Sequence, residues 1–253
     1  MSILHAMLLG LLQGITEFFP VSSSAHLKIV KLLFEIAPSE SQVVFDLVCH
    51  LGTLTALLFF LKREVFKLTK EQLKGFFFAL LPLVPAYFLL KPLRDMANKP
   101  ELLGFCLITT GVILFCGNTL RFTRKSTQSK SDLFVIGAVQ SLALIPGISR
   151  SASTISCARI LGWNPKEAVR FSFLLAIPTI VGGNCLELLK IALSKEELGS
   201  ISFSNCLVGF LFSCGIGLIT VRFGFSLLER GCFKPFAWYC LILGTLLSIY
   251  FYG

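Results

Sequence analysis

The chain is predicted to be an all-α integral membrane protein with about six transmembrane helices, two re-entrant helical hairpins and an inverted-topology internal repeat. Three observations carry this. Apolar residues make up 55% of the 253 and charged residues only 15%, with a mean hydropathy of +0.80, far from the balance of a water-soluble globule. Six apolar runs approach the roughly 20 residues that a spanning helix needs. The two halves of the chain also answer each other around two interruptions rich in proline, glycine and serine.

The first element, residues 1 to 42, is expected to dip into the membrane and return. At its centre is Gln13-Gly-Ile-Thr-Glu17-Phe-Phe-Pro20-Val-Ser22-Ser23-Ser24-Ala-His26, which sets a carboxylate, three serine hydroxyls and an imidazole between the apolar stretches Met7 to Leu12 and Leu27 to Phe34. Ionisable groups inside a membrane are costly enough to point to function by default. No Lys or Arg precedes the first apolar run, and no small-residue cleavage site follows it, so the segment reads as part of the mature protein and not as a removable signal. Spans are then predicted over Val43 to Leu61, Phe76 to Leu90, Glu101 to Leu120, Phe171 to Leu189, Phe203 to Val221 and Phe236 to Tyr252, with a second dip over residues 132 to 165. No stretch of soluble length separates them, which predicts one membrane domain over 1–253.

The net charge of +9 does not point to nucleic acid, because the basic residues lie in short turns and form no aromatic-interleaved patch on a soluble module. The positive-inside rule accounts for them better. With the chain starting outside, Lys62, Arg63, Lys67, Lys70, Lys74, Arg121, Arg124, Lys125, Lys130, Arg159, Lys166, Arg170, Arg222, Arg230 and Lys234 fall in the cytoplasm. The outer loops keep fewer: Lys28, Lys31, Lys91, Arg94, Lys99, Lys190 and Lys195.

Other residue types are assigned to structure. Nine cysteines without a C-x-x-C pair exclude a zinc site and a disulfide framework, and a free thiol in an apolar run behaves as a small hydrophobe. His5 and His50 read as core or interface histidines. Trp163, Trp238, Tyr239, Tyr250 and Tyr252, near predicted span ends, fit interfacial aromatic belts, and Ser153 and Ser156 fit close helix contacts.

The repeat is weak residue by residue but consistent in order. Gly10-Leu-Leu-Gln13 and Pro20-Val-Ser22-Ser-Ser24-Ala25 answer Gly137-Ala-Val-Gln140 and Gly147-Ile-Ser149-Arg-Ser151-Ala152 at a constant offset of 127, and Phe45 and Thr53 answer Phe171 and Thr179 at an offset of 126. Repeat one would cover about 1–125 and repeat two about 128–253. Each is an interrupted segment followed by three spans, and because three is odd the second enters from the opposite face, an architecture whose broken helices meet near the midplane.

Pro20 and Pro146-Gly147 should end one half-helix in each dip, and the serines that follow suit the N-cap of another. Two helix N-termini would then point inward, each a ready anion site with a preference for phosphate. Arg150 adds a guanidinium fork that matches phosphate. Glu17 can hold a divalent cation or accept a proton, and Ser23 and His26, three residues apart, share a helix face. Such a set supports phosphoryl transfer, in which positioning and charge neutralisation do most of the catalysis.

The first interruption resembles the E/Q-x-x-x-E and F-x-P-V-S-S motifs, and the second the P-G-x-S-R-S-x-x-T motif, of the bacterial undecaprenyl-diphosphate phosphatases. The likeness extends to Phe45-Asp46, His50-Leu51-Gly52-Thr53 and Phe171-Ser-Phe-Leu-Leu-Ala-Ile-Pro178. It implies an inner-membrane enzyme that removes the terminal phosphate of a polyprenyl diphosphate, returns the carrier lipid to peptidoglycan synthesis and confers bacitracin resistance. It further implies a divalent cation (Mg2+ or Ca2+), a site opening to the periplasmic side and homodimers. Carried over by position, Glu17, Ser23, His26 and Arg150 are catalytic, Ser22, Ser24, Ser149, Ser151 and Thr154 bind substrate phosphate, and Gln13 and Glu17 hold the metal. Gln13 stands where many relatives have glutamate, and Arg170 where an acidic residue is expected. Ser23 as nucleophile and His26 as nucleophile or activator of water both stay open. A membrane carrier for a lipid phosphate is the rival reading, since it shares the architecture but has no need of the hydroxyl, carboxylate and imidazole grouping.

Overall fold

In a computed structural model that describes residues 1–120, 129–193 and 202–253, every regular element is a helix. The first dip is α1 (Ile3–Thr16) and α2 (Ser23–Leu33). There follow α3 (Glu40–Phe60), the short α4 (Lys62–Phe66), α5 (Lys70–Leu80), α6 (Leu83–Leu89), α7 (Lys91–Ala97) and α8 (Leu103–Thr119). The second dip is α9 (Lys130–Gln140), a 3-10 turn over Ser141–Leu144 and α10 (Arg150–Ile160), and the chain ends with α11 (Pro165–Leu193), α12 (Phe203–Glu229) and α13 (Lys234–Tyr252).

Six stretches are long and apolar enough to cross a membrane: Glu40–Phe60, Lys70–Leu89, Pro100–Thr119, Pro165–Leu193, Phe203–Glu229 and Lys234–Tyr252. The protein is a multi-pass membrane protein. The second and fourth spans are longer than hydropathy alone predicts because Lys70, Lys74, Lys166 and Arg170 lie in the first turns of a helix rather than in a loop, and the fifth because the helix runs on through Arg222 to Glu229. The second span is interrupted at Leu81 and Pro82, where proline removes a backbone donor. Large apolar side chains, Phe59, Phe66, Phe203 and Tyr250 among them, cover the outer surface, as a lipid-facing surface requires. Arg121, Arg124, Lys125 and Lys195 of the topology argument lie outside the described residues.

Two assignments are corrected here. Trp163 is no belt residue; it is 1% exposed, in the main core with Phe173 and Leu175. Arg159 is no loop charge either: it is buried and donates to Trp163 O at 2.8 Å. All nine cysteines are free.

The halves are assembled by exchange. Within the first half α1 packs not on its own later spans alone but on α12 of the second, and α9 of the second packs on α5 of the first, while α3 pairs with α12 and α8 with α13. The last two contacts are close because glycines line them. A Cβ on Gly104 would lie 2.3 Å from Ser248 Oγ and 2.7 Å from Gly244 O, and one on Gly244 would lie 2.6 Å from Gly104 O. Small residues let membrane helices approach and gain dispersion contact where no hydrophobic effect drives them together. Gly104→Ala is therefore expected to cost about 1–3 kcal/mol through overpacking, seen as a lower denaturation midpoint in detergent. An unchanged midpoint would mean that α8 and α13 are free to move apart.

Candidate active site

Both dips fold for the reasons their sequences give. Ser22 caps α2, its Oγ accepting from Ala25 N at 3.4 Å, and Ser149 caps α10, its Oγ accepting from Ala152 N at 3.2 Å. Helix α1 stops at Thr16, four residues ahead of Pro20, because a proline has no N–H to give the i−4 carbonyl and its ring clashes with it. Ser22 turns the chain with φ at +68° and Gly147 with φ at +99°. Only the glycine does so without strain, and the serine's conformation costs about 1–3 kcal/mol.

The interruptions meet, and each reaches into the other. Gly147 N donates to Ser24 Oγ at 3.3 Å, while Ser151 Oγ donates to Phe19 O at 3.4 Å. Ser22 and Ser24 hydroxyls lie 3.3 Å apart, and those of Ser149 and Ser151 lie 3.2 Å apart. These pairs are the ones related by the offset of 127. From α8, Thr110 Oγ1 accepts from Ser149 N at 3.1 Å.

Glu17 is the hub. Its Oε1 accepts from Arg150 Nη2 at 3.0 Å, and its Oε2 accepts from Ser23 Oγ at 2.8 Å and from Gln13 Nε2 at 3.0 Å. The Glu17 side chain is 7% exposed and that of Arg150 16%, so the pair is held in a low-dielectric setting where each charge depends on the other. Arg150 Nη1 also donates to Ser172 O at 3.4 Å. Two of the five guanidinium N–H groups are thus engaged and three are left for a ligand.

A cavity of 340 Å³ runs from this cluster, with Glu17, Ser22, Ser23, Ser24, Ser149, Arg150 and Ser151 in its wall, to a rim at Tyr87, Arg94 and Glu187. Three predicted site residues stand back from it, Gln13 among them, fully buried behind Glu17. Thr154 is fully buried, and its hydroxyl bonds Arg150 O at 3.0 Å and Ser172 Oγ at 2.6 Å, so it braces the start of α10 rather than facing the cavity. His26 is 7% exposed, with Nδ1 at 2.7 Å from Ser22 O and Nε2 at 2.7 Å from Tyr239 OH. A carbonyl only accepts, so Nδ1 carries the hydrogen, and in the neutral ring Nε2 accepts from the phenol. The Tyr239 ring stacks on the imidazole at 5.6 Å.

Sequence reasoning missed two partners. Tyr239, assigned to a belt, holds His26 from α13, and His50, assigned to the core, turns toward Gln13 and Glu17 from α3. The only signal available for His50 was its place in the His50-Leu51-Gly52-Thr53 stretch; for Tyr239 there was none.

The donor set suits a hard divalent cation at Gln13 and Glu17. Gln13 Oε1 is buried with no hydrogen-bond partner, while the Nε2 of the same amide faces the Glu17 carboxylate, and oxygens are the ligands Mg2+ and Ca2+ take. Among the described residues no three His, Cys, Asp or Glu side chains converge, so an amide oxygen has to take part.

Comparison with known proteins gives the family. The family model described as bacitracin resistance protein BacA matches residues 6–246. An undecaprenyl-diphosphatase of Protochlamydia amoebophila is 40% identical, with 99% of each chain covered. Undecaprenyl-diphosphatases of Geobacter metallireducens and Carboxydothermus hydrogenoformans are 35% and 34% identical, covering 97% and 98% of this chain and 97% of each relative. With a family match over nearly its whole length and relatives aligned end to end, the chain belongs to the bacitracin resistance protein BacA family.

Proposed function

We propose that the protein hydrolyses the terminal phosphate of undecaprenyl diphosphate, the substrate in its relatives' names, releasing inorganic phosphate and the lipid monophosphate. One observation carries the reading: Ser23 Oγ lies 2.8 Å from a buried carboxylate whose other oxygen lies 3.0 Å from Arg150, at the inner end of a cavity faced by two helix N-termini. A base beside a hydroxyl makes an activated nucleophile, and a guanidinium beside it meets the charge on the phosphoryl oxygens.

Ser23 Oγ attacks the terminal phosphorus as its proton passes to Glu17 Oε2. The bridging P–O bond breaks and the lipid monophosphate leaves with that electron pair. Water then cleaves the phosphoserine, and the proton returns to Ser23. Arg150 turns its free N–H groups to the phosphoryl oxygens, and the first-turn N–H groups of α2 and α10 add to the positive potential. His26, with both nitrogens engaged, fixes Ser22 and through it the start of α2. A divalent cation held by Gln13 Oε1 and Glu17 supplies further charge neutralisation. Tyr87, Arg94 and Glu187 in the cavity wall come from α6, α7 and α11, beside the Lys91, Arg94 and Lys190 that the charge bias sets outside, which supports a periplasm-facing site in the inner membrane. Release of the monophosphate there fits carrier recycling and bacitracin resistance.

Purified protein in detergent is expected to release phosphate from a long-chain polyprenyl diphosphate, to lose activity in EDTA, and to lose about 10²–10⁴-fold in Ser23→Ala. Full turnover in Ser23→Ala would move the attack to water. Binding without release by folded wild type would mark a lipid-phosphate carrier.

A further inference from the structure

A second cavity, of 470 Å³, lies between the N-terminal ends of α5, α9 and α11. Along α11 it takes in Glu167 to Leu174, whereas the active-site cavity takes in Thr179 to Glu187, and the two share no residue. Its walls come from both halves of the chain, α5 from the first and α9 and α11 from the second. Lys74, Lys130 and Arg170 bring three cations to it, and Glu71 and Glu167 bring two carboxylates.

These charges do not cancel. Glu71 Oε1 is held by Lys74 Nζ at 2.9 Å. Lys130 Nζ rests over the Phe78 ring, 5.6 Å from its centroid, and among the described residues no carboxylate pairs with Lys130 or with the exposed Arg170. Two cations are left against Glu167, an excess of one positive charge. The rest of the wall is apolar, with the Phe76 and Phe171 rings 5.6 Å apart. Beside the lining residues of α5, Leu73 and Phe77 are 53% and 62% exposed, so apolar side chains face outward next to the charges.

We infer that this cavity binds the headgroup of an anionic phospholipid, with the phosphodiester between Lys130 and Arg170 and the acyl chains along Leu73 and Phe77. The charge bias sets Lys70, Lys74, Lys130 and Arg170 on the cytoplasmic side, where the leaflet is anionic and basic pockets between helices take up headgroups. The Arg170 fork matches two phosphate oxygens, and the positive ends of three helices add to the potential. A phosphodiester carries a single negative charge, equal to the excess in the cavity, whereas a phosphate monoester carries about 1.5–2 at neutral pH. Arg170, which stands where an acidic residue is expected, thereby gains a task that the catalytic site does not supply. A lipid seated here ties α5 of one half to α9 and α11 of the other.

The test adds phosphatidylglycerol, phosphatidylcholine or phosphatidylethanolamine in mixed detergent micelles to purified protein, with inorganic phosphate as a fourth arm, and follows the denaturation midpoint. Phosphatidylglycerol is expected to raise the wild-type midpoint saturably, and the two zwitterionic lipids and inorganic phosphate to leave it in place. Lys130→Gln and Arg170→Gln should melt with the wild type before lipid is added, yet each should bind phosphatidylglycerol about fivefold more weakly, and the double variant more than about tenfold. Lys234→Gln, exposed at the start of α13 and outside the cavity, should match the wild type. Equal stabilisation by a zwitterionic lipid overturns the proposal, as does an equal loss in Lys234→Gln, the mark of diffuse surface charge. A rise with inorganic phosphate alone, the mark of a free-anion site, or an undiminished lipid effect in the double variant also overturns it. The readout is stability, so it is separate from the phosphatase reading, which stands or falls by phosphate release.

Discussion

Arg150→Ala is expected to lower turnover of the polyprenyl diphosphate about 10³–10⁵-fold, the range for removing an arginine that meets the charge on a transferring phosphoryl group. The loss has two sources here. The phosphoryl oxygens lose a forked donor, and Glu17 loses the counter-charge 3.0 Å from its Oε1, which leaves an uncompensated buried carboxylate facing an anionic substrate. Arg150→Lys keeps the charge but not the fork, so it should recover binding more than turnover. Steady-state kinetics on protein whose denaturation midpoint is also recorded would decide it. Folded Arg150→Ala turning over within about tenfold of wild type would remove Arg150 from the chemistry.

Glu17→Ala is expected to cost about 10²–10⁴-fold in turnover and, unlike Ser23→Ala, to destabilise the fold by about 3–5 kcal/mol. Three donors converge on this carboxylate, from Gln13, Ser23 and Arg150, and two of them come from other elements of the fold. Truncation strands a buried guanidinium. The double variant Glu17→Ala with Arg150→Ala should therefore be more stable than Glu17→Ala alone, because groups that share one interaction do not add. Strict additivity in the melt would show that the pair contributes nothing to holding the interruptions together.

What could be read from the sequence was what neighbouring residues decide. Hydropathy located six spans, and the offset of 127 paired Ser22 with Ser149 and Ser24 with Ser151 because each of these serines acts within its own turn or on the matching turn. Glu17, Ser23 and Arg150 came together because a broken helix leaves only one place for them to meet. The contributions that were missed come from helices far along the chain: Tyr239 lies 213 residues from His26 and His50 lies 37 from Gln13. In a membrane helix both faces are apolar, so periodicity does not say which face turns inward. The same blindness sent Trp163 to the surface and Thr154 to the phosphate, when the first is in the core and the second braces α10. Span ends drifted because a helix can begin with charged turns that hydropathy excludes.

The matched interruptions carry one more implication. At Ser22 with Ser149 and at Ser24 with Ser151 the two hairpins present the same hydroxyls. The offset that pairs them also sets Ser23 against Arg150 and Glu17 against Leu144. The proposed nucleophile and the proposed electrophilic clamp therefore stand at matching positions of the two interruptions. A symmetrical scaffold binds an anion equally from both sides and has no direction; the differences at these two pairs give it one. Neither interruption alone holds both ends of the reaction.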